Sequence, residues 1–192
     1  SAISPDNQEV VDAKALGKSI IHRSDLISLV SKSFKTITVA GTHGKSTTSA
    51  LVSFLLTKLD LNPSFILGAK ILGDFDQSAK LGEGEYLVLE ADESDGTFQK
   101  YHPHVAVITN IDQDHMDFYG SMEAMEEAFH KHLLNVDEEG FNVLFWDHER
   151  VRTLAEKKLN GNRLTFGSFL GSEVRMIGFK QVGAHLSFQA IV

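Results

Sequence analysis

Cysteine is absent from the 192 residues, and so is any run of five or more Lys or Arg. The first absence excludes disulfides, thiolate nucleophiles and Cys-ligated zinc. The second, together with a formal net charge of −8, argues against a nucleic-acid surface. No apolar stretch approaches the roughly 18–20 residues of a membrane-spanning helix, and no signal-peptide pattern, internal repeat or low-complexity tract is visible. The composition left is that of a soluble globular protein, long enough for one good-sized domain or one domain with a fragment of another. The chain opens on Ser1 rather than Met, which predicts an excised piece.

What is present begins with Thr36-Ile37-Thr38-Val39-Ala40, a short β-branched strand, running into Gly41-Thr42-His43-Gly44-Lys45-Ser46-Thr47-Thr48. Leu51, Val52, Leu55, Leu56 and Leu59 then follow at helical spacing. This strand, glycine-bounded turn and helix make a phosphate cradle. The glycines let the backbone turn its N–H groups inward, the helix start adds a positive dipole end, Lys45 supplies charge and Ser46 offers a hydroxyl to magnesium. Val39 stands where the full P-loop pattern has its first glycine, so the loop is a shortened form. Lys45 is expected in a turn outside the core, where its loss would spare the fold.

Strands and helices alternate from Lys35 onward: helix 46–59, strands Ser64–Leu67, Tyr86–Ala91 and His104–Asn110, helix 121–134, strand Phe141–Trp146 and helix 148–158. That order predicts an α/β fold with a mostly parallel sheet and flanking helices. Short strands at Arg163–Phe166, Glu173–Phe179 and Ala184–Val192 close the chain. Before the sheet, a helix over Asp6–Leu16, a small strand at Ser19–Ile21 and a second helix capped by Ser24 are expected.

Tyr86–Leu89 and Val105–Ile108 are continuously apolar, as strands buried on both faces should be. Ligands of open parallel sheets sit beyond the carboxyl ends of such strands. Gly41–Ser46, Glu90–Asp95 and Asn110–Asp117 should therefore converge. Glu90-Ala91-Asp92-Glu93-Ser94-Asp95 carries four carboxylates in six residues. Glu90 directly follows the buried run and is the chosen magnesium ligand, while Asp92, Glu93 and Asp95 are expected to face water. His115, flanked by Asp114 and Asp117, is the second metal candidate. His22, His102, His104, His130, His132, His148 and His185 receive no role, with His130 and His132 expected at the solvent face of their helix.

The three blocks Gly41–Thr48, Glu90–Asp95 and Thr109–Asp117 together resemble the Mur ligase family of peptidoglycan synthesis. Ser1-Ala2-Ile3 with Asn7, Glu9-Val10-Val11 and Ala13 resembles the family's join between its UDP-binding and ATPase domains. The resemblance implies a P-loop NTPase-like central domain over residues 34–192, truncated at its C-terminal end, with residues 1–33 a remnant of the preceding domain and linker. It implies ATP held by Gly41, Thr42, His43, Gly44, Lys45, Ser46 and Thr47, with Lys45, Glu90 and His115 catalytic. Mg²⁺ would be bound by Ser46, Glu90 and His115. It further implies a cytoplasmic enzyme that forms an amide between L-alanine and the carboxylate of UDP-N-acetylmuramate, with no nucleic-acid or membrane partner. A tripeptide-adding relative tends to have Tyr where this chain has Ser94. A noncatalytic nucleotide-binding module is the reading of another class; it would keep the cradle without needing Glu90 and His115.

Overall fold

The computed structural model describes residues 3–70 and 77–192, so Ser1 and Ala2 of the opening motif lie outside the described residues. The strands are β1 (Lys35–Ala40), β2 (Ser64–Ile66), β3 (Ala79–Lys80), β4 (Tyr86–Glu90), β5 (Val105–Ile108), β6 (Phe141–Phe145), β7 (Asn162–Gly167), β8 (Val174–Val182) and β9 (His185–Ile191). They form one sheet in the order β3-β2-β4-β1-β5-β6-β7-β8-β9. Pairing is parallel from β2 through β8 and antiparallel only at the two ends, β2/β3 and β8/β9. The α/β, mostly parallel architecture expected from the sequence is the one observed.

Alternation along β1 sends its residues to two different layers. Ile37 and Val39 pack with Val107 against Val52 and Leu56 of helix α3 (Lys45–Lys58). Ala40 faces the larger cluster with Leu89, Ile108, Leu144 and residues of helices α5 (Met122–Leu134) and α6 (Glu149–Ala155). The central strands are buried on both faces, which is why Tyr86–Leu89 and Val105–Ile108 read as unbroken apolar runs.

Helix α1 (Gln8–Ala15) is capped by Asn7. In helix α2 (Arg23–Ser31) the cap is His22, in a capping box with Asp25, and not Ser24, which lies inside the first turn. The small strand expected at Ser19–Ile21 is not formed; these residues are irregular and exposed. Instead α2 docks on the short 3₁₀ turn Thr97–Lys100, where Lys100 Nζ reaches Asp25 Oδ1 at 2.5 Å and Ser28 Oγ donates to the Lys100 carbonyl at 2.9 Å.

His132 overturns its expected place at the solvent face. It is fully buried on α5, its ring 5.1 Å from that of Phe98, and its Nε2 lies 3.0 Å from Thr38 Oγ1 of β1. The spacing explains it: Met125, Ala128, Phe129, His132 and Leu133 fall at i, i+3, i+4, i+7 and i+8, the buried stripe of the helix. His130 is likewise partly covered, its Nε2 3.0 Å from the Lys158 carbonyl.

Burial lowers the His132 pKa from 6.5 to about 4. The unfolded chain thus binds this proton near pH 6.5 while the native one does not, so stability falls as pH drops from about 6.5 towards 4. The loss is of order 3 kcal/mol from this residue. Urea unfolding at pH 7 and pH 4.5 is expected to show the drop, and His132→Gln to flatten it.

Candidate functional site

Register brings the three site segments to one edge. Val39 of β1 lies opposite Glu90 of β4, and Ala40 opposite Ile108 of β5, so the carboxyl ends of these strands are level where the strand order reverses around β1. The loop after β1 then turns at Gly41, at φ 138°, and at Gly44, at φ 80°.

Residues just past β5 brace this loop. Thr109 Oγ1 and Asn110 Nδ2 both donate to the His43 carbonyl, at 2.7 and 2.9 Å, and the His43 N–H donates to Asn110 Oδ1 at 2.8 Å. The Asp112 N–H donates to Thr42 Oγ1 at 2.9 Å. Much of the Thr109–Asp117 block therefore shapes the loop. Asp112 also receives two imidazoles, His148 Nε2 at 3.2 Å and His43 Nε2 at 3.9 Å.

Gly44 begins α3 with no side-chain cap, and a Cβ placed on it would meet nothing within 4 Å. The positive end of a 14-residue helix is thus left without a side-chain cap, the arrangement that receives an anion. Lys45 occupies the first turn, its Nζ 2.8 Å from the Gly41 carbonyl, while the Thr47 side chain beside it is exposed.

The largest difference from expectation is Glu93. Its side chain is wholly buried, with the Lys45 ammonium 2.8 Å from Oε2 and 3.1 Å from Oε1, and His115 Nε2 3.8 Å from Oε1. Tyr119, whose hydroxyl donates to the Glu93 carbonyl, has its own pKa pushed up by burial. A carboxylate cannot enter the interior without a partner, and Lys45, itself largely covered, is that partner. No local sequence signal marks Glu93, because the lysine that compensates it lies 48 residues away in the chain. Asp92 does face water, as expected, and Asp95 is partly covered, accepting from the Thr97 N–H at 3.0 Å.

Glu90 stands where the sequence placed it, at the end of β4. Ser46 Oγ donates to its Oε1 at 2.9 Å and the Gly68 N–H to its Oε2 at 2.7 Å. A hydroxyl and a carboxylate already in contact are the hard oxygen donors that Mg²⁺ takes, usually one or two beside phosphate and water. His115, just before the short helix α4 (Met116–Tyr119), sits at φ 53°, a left-handed conformation uncommon for a residue with a side chain. Its carboxylate neighbours are Glu93 and Asp114 rather than Glu90. Among the described residues, no three His, Asp or Glu side chains converge to hold a metal by themselves. The donor set therefore suits a magnesium that arrives with phosphate oxygens.

A family model described as the Mur ligase middle domain matches residues 39–188. The chain belongs to the Mur ligase family. Among relatives of this Mur ligase chain, a UDP-N-acetylmuramate–L-alanine ligase of Carboxydothermus hydrogenoformans is 42% identical over 94% of the chain and 39% of its own length. One of the same name from Hyphomonas neptunium is 40% identical over 98% of the chain and 40% of its own length. The chain thus spans well under half the length of these relatives. The crystal structure of a UDP-N-acetylmuramate-alanine ligase from Thermotoga maritima superimposes with a TM-score of 0.84 at 28% identity, covering 98% of this chain and 42% of that one. A structure of MurF ligase from the same organism, in complex with ADP, has a TM-score of 0.66 at 20% identity and covers 89% of this chain and 42% of that one, a likeness of fold alone.

Proposed function

We propose that this chain is the ATP-binding part of a ligase that joins L-alanine to the carboxylate of UDP-N-acetylmuramate through an acyl phosphate. Residues 34–192 are read as the nucleotide-binding domain and residues 1–33 as the approach from a preceding UDP-binding unit. The observation that carries the nucleotide assignment is the uncapped start of α3, with Lys45 in its first turn and the Ser46–Glu90 oxygen pair beside it. Support for the substrates comes from the names of the relatives cited above, at 42% and 40% identity.

ATP with Mg²⁺ would supply the transferable phosphoryl group and neutralise part of its charge. The chain's own residues do the holding: the Gly41–Gly44 backbone and the helix start receive phosphate oxygens, Lys45 turns its ammonium towards the outer ones, and Ser46 and Glu90 present ligands to magnesium. His115 flanks the same edge as a further metal ligand. Phosphoryl transfer needs positioning and charge neutralisation more than a protein nucleophile. Beside Glu90 lies a cleft of about 300 Å³ lined by Arg23, Gly68, Asp92 and Tyr101 among others, where the acid substrate can approach the phosphate edge. A cytoplasmic location is part of the same reading, since the reaction consumes ATP.

A second reading joins the tripeptide in place of L-alanine. A ligase from Neisseria meningitidis named for UDP-N-acetylmuramate and L-alanyl-γ-D-glutamyl-meso-diaminopimelate matches with a TM-score of 0.84, at 24% identity over 100% of this chain and 63% of its own. That identity shows fold alone, and the higher sequence identities favour L-alanine. Assayed at the full length of its relatives, the enzyme is expected to yield UDP-N-acetylmuramoyl-L-alanine by mass spectrometry. Product formed only with the tripeptide would transfer the assignment to the second reading.

The metal assignment makes its own forecast. Glu90→Gln is expected to raise the Mg²⁺ concentration for half-maximal activity by about tenfold or more, whereas Asp92→Asn, at an exposed position, should leave it within about twofold. Equal shifts in the two variants would remove Glu90 from the site.

A further inference from the structure

We propose that Glu93 is a positioning residue that competes with nucleotide for Lys45: its buried carboxylate holds the Lys45 ammonium against the loop, and phosphate must draw that ammonium away. The inference rests on the nucleotide reading of the same site and adds a residue to which that reading gives no role.

Three observations carry it. The carboxylate has no exposure to solvent, so it holds the nearest cation strongly and any other ligand of Lys45 must compete with it. The Lys45 ammonium meets both of its oxygens and also the carbonyls of Gly41 at 2.8 Å and Thr42 at 3.4 Å, so protein acceptors on the loop and on Glu93 engage it. Phosphate oxygens must therefore compete with these acceptors for Lys45. Finally, His115 Nε2 stands 3.8 Å from Glu93 Oε1, on the same carboxylate as Lys45.

The consequence is an exchange of partners. When phosphate oxygens enter at the helix start, the ammonium leaves Glu93 for them, and the carboxylate is left facing His115. The pair thereby sets a threshold: a ligand must offer Lys45 more negative charge than Glu93 does. A di- or triphosphate meets that demand better than a single phosphate. The Tyr119 hydroxyl on the Glu93 carbonyl fixes the backbone from which this carboxylate hangs, so the group keeps its place while the lysine moves.

The test compares natural protein, Glu93→Gln and Glu93→Asp, each at the full length of its relatives. Binding of ADP in EDTA, without metal, is measured by calorimetry beside thermal unfolding of each protein. Removing the competing charge is expected to tighten ADP binding by about tenfold in Glu93→Gln, while Glu93→Asp, which keeps the charge, should stay near the natural value. Turnover should fall in Glu93→Gln although the KM for ATP also falls. A purely structural carboxylate would instead weaken binding along with stability, and unchanged or weaker ADP binding in a folded Glu93→Gln overturns the proposal. Should that variant not fold, the natural protein decides: with ¹³C-labelled glutamate, the Glu93 carboxyl resonance is expected to shift on ADP saturation, and a resonance that stays put overturns the proposal. If the natural protein binds no ADP at all, the nucleotide reading fails and the competition fails with it, an outcome distinct from loss of the competition alone.

Discussion

Lys45→Ala is expected to lower turnover by about two to three orders of magnitude, as loss of one electrostatic donor aimed at developing charge typically costs roughly 3–4 kcal/mol. The sequence alone places Lys45 in a turn whose loss spares the fold. The structure adds a second cost, because its ammonium is the cation of the buried Glu93 carboxylate. Truncating one member of a buried pair leaves the other uncompensated, at about 3–5 kcal/mol. Lys45→Ala should therefore also lower the thermal midpoint by several degrees. The two effects separate in the double variant Lys45→Ala/Glu93→Gln: the midpoint should recover towards natural, since an amide carries no charge to compensate, while turnover stays low. Turnover near natural in Lys45→Ala would remove the phosphate role of the loop. A double variant no more stable than the single one would remove the charge argument for Glu93.

The parts legible in the sequence were those governed by local chemistry. β1, α3 and the glycine turn between them were readable because strand period, glycine and helical spacing each leave a signature within a dozen residues. The position of Glu90 at the loop edge was readable because it ends an apolar run, and the observed Ser46–Glu90 contact puts both side chains at that edge. Glu93 was not, because a run of acids reads as solvated whenever the partner that buries one of them is 48 residues away in the chain. His132 failed for a different reason. A polar side chain on a helix reads as solvent-facing until the tertiary packing is known, and here the Thr38 hydroxyl across the core engages one of the two ring nitrogens. The two-residue β3 and the turn Thr97–Lys100 are too short for any periodicity and exist by pairing and docking alone.

Gly41→Ala should be the most disruptive single-atom addition at the site. A Cβ at this position would lie 2.2 Å from Thr109 Oγ1, 2.9 Å from the Asn110 carbonyl oxygen and 3.0 Å from the Asn110 nitrogen. Two of these are backbone atoms, and Thr109 Oγ1 is itself tied to the His43 carbonyl at 2.7 Å, so nothing nearby can yield without releasing the brace that shapes the loop. The φ of 138° adds strain for any residue with a side chain. The expected loss is about 3 kcal/mol or more in urea unfolding, together with loss of ADP binding, because the loop that carries Lys45 is displaced with its brace. Gly44→Ala is the informative comparison. Its φ of 80° is also left-handed, but a Cβ there meets nothing within 4 Å, so only the conformational cost of about 1–2 kcal/mol applies. If steric collision with the Thr109–Asn110 segment is what fixes glycine at position 41, the two variants must differ in stability. Equal losses would mean that backbone conformation alone, and not the brace beneath the loop, demands glycine at both ends of the turn.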